Sequence, residues 1–114
     1  MLRDPHAFLW EVKDAARSIQ SYTHGLDVEG YLGNSMTQAA VERKFEVIGE
    51  ALNQLSKVDP ALAARVPDFP QIVAFRNQLI HGYATVNPRT VWNAVQVSLP
   101  GLMQVVQEML APKP

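Results

Sequence analysis

The segment Arg76-Asn77-Gln78-Leu79-Ile80-His81-Gly82-Tyr83 holds the residue types best suited to chemistry in this chain. An arginine, an amide and a histidine together suit work on a phosphate. Arginine grips phosphate oxygens with a rigid fork of donors. Histidine titrates near neutral pH and can move a proton. Asparagine can orient the imidazole or a phosphate. On a helix Asn77 and His81, four apart, lie about 40° apart and share a face. Arg76 and His81, five apart, lie about 140° apart and are not stacked. A change of geometry near Gly82 could bring them to one cleft, or the cleft could form between two copies of the chain. Arg76 and Tyr83, seven apart, fall within about 20° of each other. A purely structural reading competes. A histidine in a last helical turn suits the helix dipole, Arg76 could pair with Glu46 or Glu50, and Tyr83 could be a core aromatic.

Other chemistries have little support. There is no cysteine, which removes disulfides, thiolate metal sites and a cysteine nucleophile. The three histidines, His6, His24 and His81, sit in separate segments without paired-ligand spacing, so no metal is expected. No phosphate-binding glycine loop and no nucleophile elbow is present. His6 and His24 read as surface residues.

The elements that must position the segment read as helices. Asp4 can cap a first helix with Pro5 at its first position. Phe8, Leu9, Val12, Ala15, Ala16, Ile19 and Tyr22 recur at spacings of three and four, and His24-Gly25 ends the run. Leu26 to Ser35 reads as a connector. A second helix starts near Ser35 or Thr37, with Met36, Ala40, Val41, Phe45, Ile48, Leu52 and Leu55 as its apolar stripe. Arg43, Glu46, Glu50 and Asn53 form a polar stripe, either a solvated face or, at Glu46 or Glu50, a support for Arg76 or His81. Lys57 to Pro70 is punctuated by prolines, with one turn at Ala61 to Arg65. A third helix after Pro70 carries Ile72, Val73, Phe75, Leu79 and Ile80. Asn87-Pro88 opens a fourth, with Val91, Trp92, Val95, Leu99, Leu102, Val105, Val106 and Leu110 inward and a kink expected at Pro100. No period-two pattern supports a strand. Trp10, Trp92, Phe8 and Phe45 read as core or dimer contacts.

The chain has 114 residues, a formal net charge of -1 and 47% hydrophobic residues. These values predict a single domain over residues 1–114 with its own core. They exclude a uniformly basic nucleic-acid coat, though not a local basic patch. Met1-Leu2-Arg3-Asp4-Pro5 lacks the apolar stretch of a secretory signal, and no apolar run approaches the roughly 20 residues of a membrane span. A soluble, cytoplasmic protein is expected. The fold class expected is all-α, an antiparallel four-helix bundle with a kinked last helix.

Arg76-x4-His81-x-Tyr83, with Asn77 after the arginine, resembles the signature of the HEPN superfamily and, within it, of the HepT-like toxins. The stretches Thr37-Gln38-Ala39-Ala40-Val41-Glu42-Arg43, Glu46-Val47-Ile48-Gly49-Glu50-Ala51, Val91-Trp92-Asn93-Ala94-Val95-Gln96 and Leu99-Pro100 are similar in order. The likeness runs from about Asp4 to Leu110. Gln71 departs from it, where relatives often carry tryptophan, and so does Ala74-Phe75, where Gly-Met is frequent. The resemblance implies the toxin of a type VII toxin–antitoxin pair, a homodimeric, metal-independent RNase with its site in the dimer cleft. By the same resemblance His81 would be the general acid or base, Arg76 would stabilise charge on the phosphorus, and Asn77 would support them. Tyr83 would accept AMP from a partner, a minimal nucleotidyltransferase antitoxin, in an assembly that could exceed a heterodimer. No cofactor is implied. The competing expectation is a non-catalytic nucleotide- or partner-binding module of a nucleotidyltransferase complex.

Overall fold

The computed structural model describes residues 3–82 and 86–112, and among them every regular element is helical. They are α1 (Pro5–Thr23), α2 (Val28–Leu32), α3 (Ser35–Val58), α4 (Pro60–Ala63), α5 (Phe69–His81) and α6 (Pro88–Asn93), then a π-helical turn (Ala94–Ser98) and α7 (Leu99–Leu110). The all-α bundle expected from the periodicity is present, with two short helices added in its connections.

Local chemistry sets the boundaries. The side chains of Asp4, Asp27, Asn34, Asp59 and Asn87 each accept a hydrogen bond from a backbone N–H in the first turn that follows. Such a cap is worth about 1 kcal/mol over alanine. Pro5, Pro60 and Pro88 follow three of these caps, where a missing N–H costs nothing. The start of α5 differs. Asp68 has a left-handed backbone (φ 59°) and makes no side-chain cap. Gly25, at φ 79°, turns the chain out of α1.

Two sequence expectations change here. The Leu26–Ser35 connector contains α2, whose Tyr31 is fully buried and lies 5.2 Å from the Trp92 ring. Gln38 of α3 donates to the carbonyls of Tyr31 and Leu32, at 3.0 and 3.1 Å, and fixes α2 in place. The disturbance expected at Pro100 takes the form of the π turn. Pro100 has no N–H for the Gln96 carbonyl, and its ring would crowd that carbonyl in a regular helix. The Leu99 N–H instead reaches the Ala94 carbonyl, five residues back.

The core joins Leu9, Val12, Ala16 and Ile19 of α1 to Val41, Ile48, Leu52 and Leu55 of α3 and to Leu99 and Val106 of α7. Phe8 and Phe45 belong to it, and Trp92 is partly buried against it. Trp10, Tyr22 and Met36 do not, being 48%, 41% and 83% exposed. Met36 lies about 140° around α3 from the mean of its buried residues, so it points away from the core despite its apolar side chain. Helix α5 packs on α3, and Leu79 is its one buried residue. Between α5 and the Ala94–Leu102 segment an apolar groove of about 650 Å³ remains open.

Candidate active site

The candidate residues ride on the last two turns of α5, where that helix crosses α3. The crossing is closest at Gly49. A Cβ there would stand 2.2 Å from Arg76 Cβ and 2.6 Å from its Cγ. No larger residue fits without parting the helices, so the stem of Arg76 occupies the space a side chain would take. A glycine inside a helix costs about 1 kcal/mol relative to alanine, and close backbone approach accounts for it here.

This approach fixes the Arg76 guanidinium. Its Nη2 donates to Glu50 Oε2 across the two helices, and its Nη1 donates to Asn77 Oδ1 at 2.8 Å. Gln54 donates to the other Glu50 oxygen at 3.0 Å. That amide first, and the Arg76 guanidinium after it, hold the Glu50 carboxyl below its usual range against a partial burial cost. Arg76 Nε is buried and has no hydrogen-bond partner among the described residues. The guanidinium is therefore pinned at two of its donors, with N–H groups left over for a ligand.

His81 stands apart from this arrangement. It is the last residue of α5 and is exposed, and its side chain makes no hydrogen bond to another described residue. The helix stays regular through His81, and the Gly82 N–H still bonds to the Gln78 carbonyl at 2.8 Å. The separation of about 140° between Arg76 and His81 is thus retained. Within one chain Arg76, Asn77 and Glu50 come together, and His81 is presented to solvent one turn further along. Tyr83 lies outside the described residues.

The polar stripe of α3 divides. Glu50 supports Arg76, the sharper of its two sequence readings. Arg43 and Glu46 line a cleft of about 300 Å³ together with Glu11, Glu50, Arg76 and Ile80. Glu11 is paired with Arg3 at 2.7 Å. The sequence alone placed Gly49 only within a helical block and did not single out Gln54. The available signal was the glycine itself, in mid-helix without a turn to make. Among the described residues no group of three or more His, Asp or Glu has the placement of a metal site, and no helix is long and apolar enough to cross a membrane.

Comparison with known proteins places the chain in a family. The family described as "Ribonuclease HepT-like" matches residues 12–109. A candidate RNase of Methanocaldococcus jannaschii is 30% identical over 108 residues, covering 95% of this chain and 92% of its own length. A protein of Thermococcus cleftensis named "Probable ribonuclease HepT" is 30% identical over 102 residues, covering 90% and 92%. A candidate RNase of Caldanaerobacter subterraneus subsp. tengcongensis is 28% identical, covering 96% of both. No solved structure gives a significant match.

Proposed function

The chain belongs to the HepT-like ribonuclease family, and from that premise we propose that it acts as a single-domain, metal-independent RNase toxin whose site uses Arg76 and His81. The observation that carries the reading is the pinned Arg76 guanidinium together with an exposed His81 further along the same helix. RNA carries its own nucleophile. The protein need only align the 2′-hydroxyl with the neighbouring phosphorus, move protons and stabilise charge. In this scheme the 2′-oxygen bonds to phosphorus and the phosphorus–5′-oxygen bond breaks. His81 takes the 2′-hydroxyl proton, and the departing 5′-oxygen receives a proton from a second acid. Arg76 offers its spare N–H groups to the non-bridging oxygens, where negative charge builds up. Asn77 keeps the fork aligned.

A two-fold dimer completes this scheme. The geometry of one chain keeps Arg76 and His81 apart, and a second copy supplies both a facing histidine and the missing acid. The open apolar groove beside α5, lined by Phe75, Ile72, Val97 and Leu102 among others, supports burial against another copy. Silencing would follow from the partner nucleotidyltransferase. The Tyr83 hydroxyl attacks the α-phosphorus of ATP, pyrophosphate leaves, and the bulky, anionic AMP group sits close in sequence to Arg76 and His81. A toxin–antitoxin pair working in the cytoplasm is the setting this implies.

The test uses a defined RNA, a metal chelator, and protein shown by intact mass to be free of AMP. Wild type should cleave, while His81→Ala and Arg76→Ala should not, with helicity preserved because His81 is exposed. Equal cleavage by wild type and His81→Ala would overturn the site. Binding without cleavage by wild type would favour a non-catalytic partner-binding module. Co-production with an active partner should add AMP-sized mass increments that vanish in Tyr83→Phe.

A further inference from the structure

We infer that Arg43 is a second phosphate contact, which holds the substrate RNA on the α3 side of Arg76 and acts in binding rather than in the chemical step. The inference rests on the RNase reading above.

Arg43 lines the same cleft as Arg76. The other charges of that cleft are largely committed. Arg3 neutralises Glu11, and Arg76 with Gln54 engages both oxygens of Glu50. Arg43 is exposed, and its side chain has neither an ion pair nor a hydrogen bond among the described residues. It is the uncommitted cation of the cleft. Position 43 precedes Glu50, the anchor of Arg76, by seven residues. That is two turns, about 10 Å along α3 and within about 20° around it. Arg43 and Arg76 therefore face one hollow from stations about two helical turns apart. The separation suits neighbouring phosphates on one strand.

The two arginines divide the work by their surroundings. Arg76 has two donors tied to protein acceptors and a short reach from a close helix crossing. It is built to meet charge at one point. Arg43 is free to move and can recruit the backbone from solution. A contact made equally in ground and transition states lowers KM and leaves kcat alone. Glu46, one turn along the same face, lines the hollow and has no cationic partner within 4 Å among the described residues. It opposes the anion, so removing its charge should act in the other direction.

The experiment measures cleavage of a fluorescent single-stranded RNA at several salt concentrations, alongside anisotropy of its binding. Arg43→Ala should raise KM about tenfold with kcat within about twofold, at an unchanged melting temperature. Its log–log salt slope should be shallower by about 0.7, the share of one single-strand phosphate contact. Arg43→Lys should retain most of the affinity, and Glu46→Gln should lower KM. Unchanged KM and salt slope in Arg43→Ala would overturn the inference, as would a fall confined to kcat. Wild type that fails to cleave would sink the RNase reading instead. Anisotropy would then still judge Arg43, since loss of RNA binding in Arg43→Ala does not depend on cleavage. Unaltered binding there, with loss only of partner association, would assign Arg43 to a protein contact and refute the proposal.

Discussion

Gly49→Ala is the sharpest test of how the site is built. The new methyl carbon would fall 2.2 Å from Arg76 Cβ and 2.6 Å from Cγ, where ordinary contact begins at 3.4 Å. Both atoms belong to the base of the side chain, so a rotamer change at the tip gives no relief. Helix α5 must withdraw locally by about 1.2 Å, the difference between 3.4 and 2.2 Å. Overpacking of this kind costs about 1–3 kcal/mol. The helix gains about 1 kcal/mol from replacing glycine with alanine. The net loss of about 1 kcal/mol lowers the melting temperature by roughly 4–8 °C, an amount the protein should survive. The site should suffer more. Withdrawal pulls Nη2 off Glu50, and misplacement of a reacting group by about 1 Å can cost on the order of 100-fold in rate. Thermal unfolding followed by circular dichroism measures the first effect, and RNA cleavage below the melting temperature the second. Gly101→Ala is the stability control. Nothing lies within 4 Å of its would-be Cβ, and it sits in α7, so it should stabilise the fold by about 0.5–1 kcal/mol. If Gly49→Ala is as stable as Gly101→Ala, or cleaves RNA at close to the wild-type rate, the close approach does not seat Arg76.

Further outcomes follow from the same geometry. Arg76→Lys keeps the charge but loses the fork that meets Glu50 and Asn77 together. Cleavage should fall by about 100-fold or more with the circular dichroism spectrum retained, and near-normal activity would show that charge alone suffices. Glu42 is pushed up from its ordinary value by burial and then by the Glu46 carboxylate. A carboxyl raised in the folded state weakens the fold once it ionises, so Glu42→Gln should melt higher than wild type at pH 7. The gap should close as pH falls below about 4. A gap that widens on acidification would refute the assignment. Glu50 has the opposite sign. Held low, it contributes stability above its unfolded value near 4.3 and loses it as pH drops through the folded one. In Glu50→Gln that part of the acid dependence should be absent.

Much of this protein was legible without a structure because it depends on neighbours in sequence. Asp4-Pro5 and Asn87-Pro88 begin helices through bonds spanning two residues. The buried faces of α1 and α3 follow from periodicity, and the order of the blocks around Arg76, His81 and Tyr83 carried the family. Tertiary structure decided what depends on where one helix meets another. Glu46 and Glu50 both share a polar stripe with Arg43, and only the crossing of α3 with α5 selected Glu50 for Arg76. Gly49 was one residue among a helical block until Arg76 was found against it. Tyr31 looked like part of a loop and is sealed beneath Trp92. Trp10 read as a core or dimer contact and is not in the core of the single chain, because α1 turns its other side to α3 and α7. A helix records in its own sequence which positions are apolar. It holds no record of which neighbour arrives, how closely, or which charge that neighbour brings, and those three facts fix the position of the guanidinium.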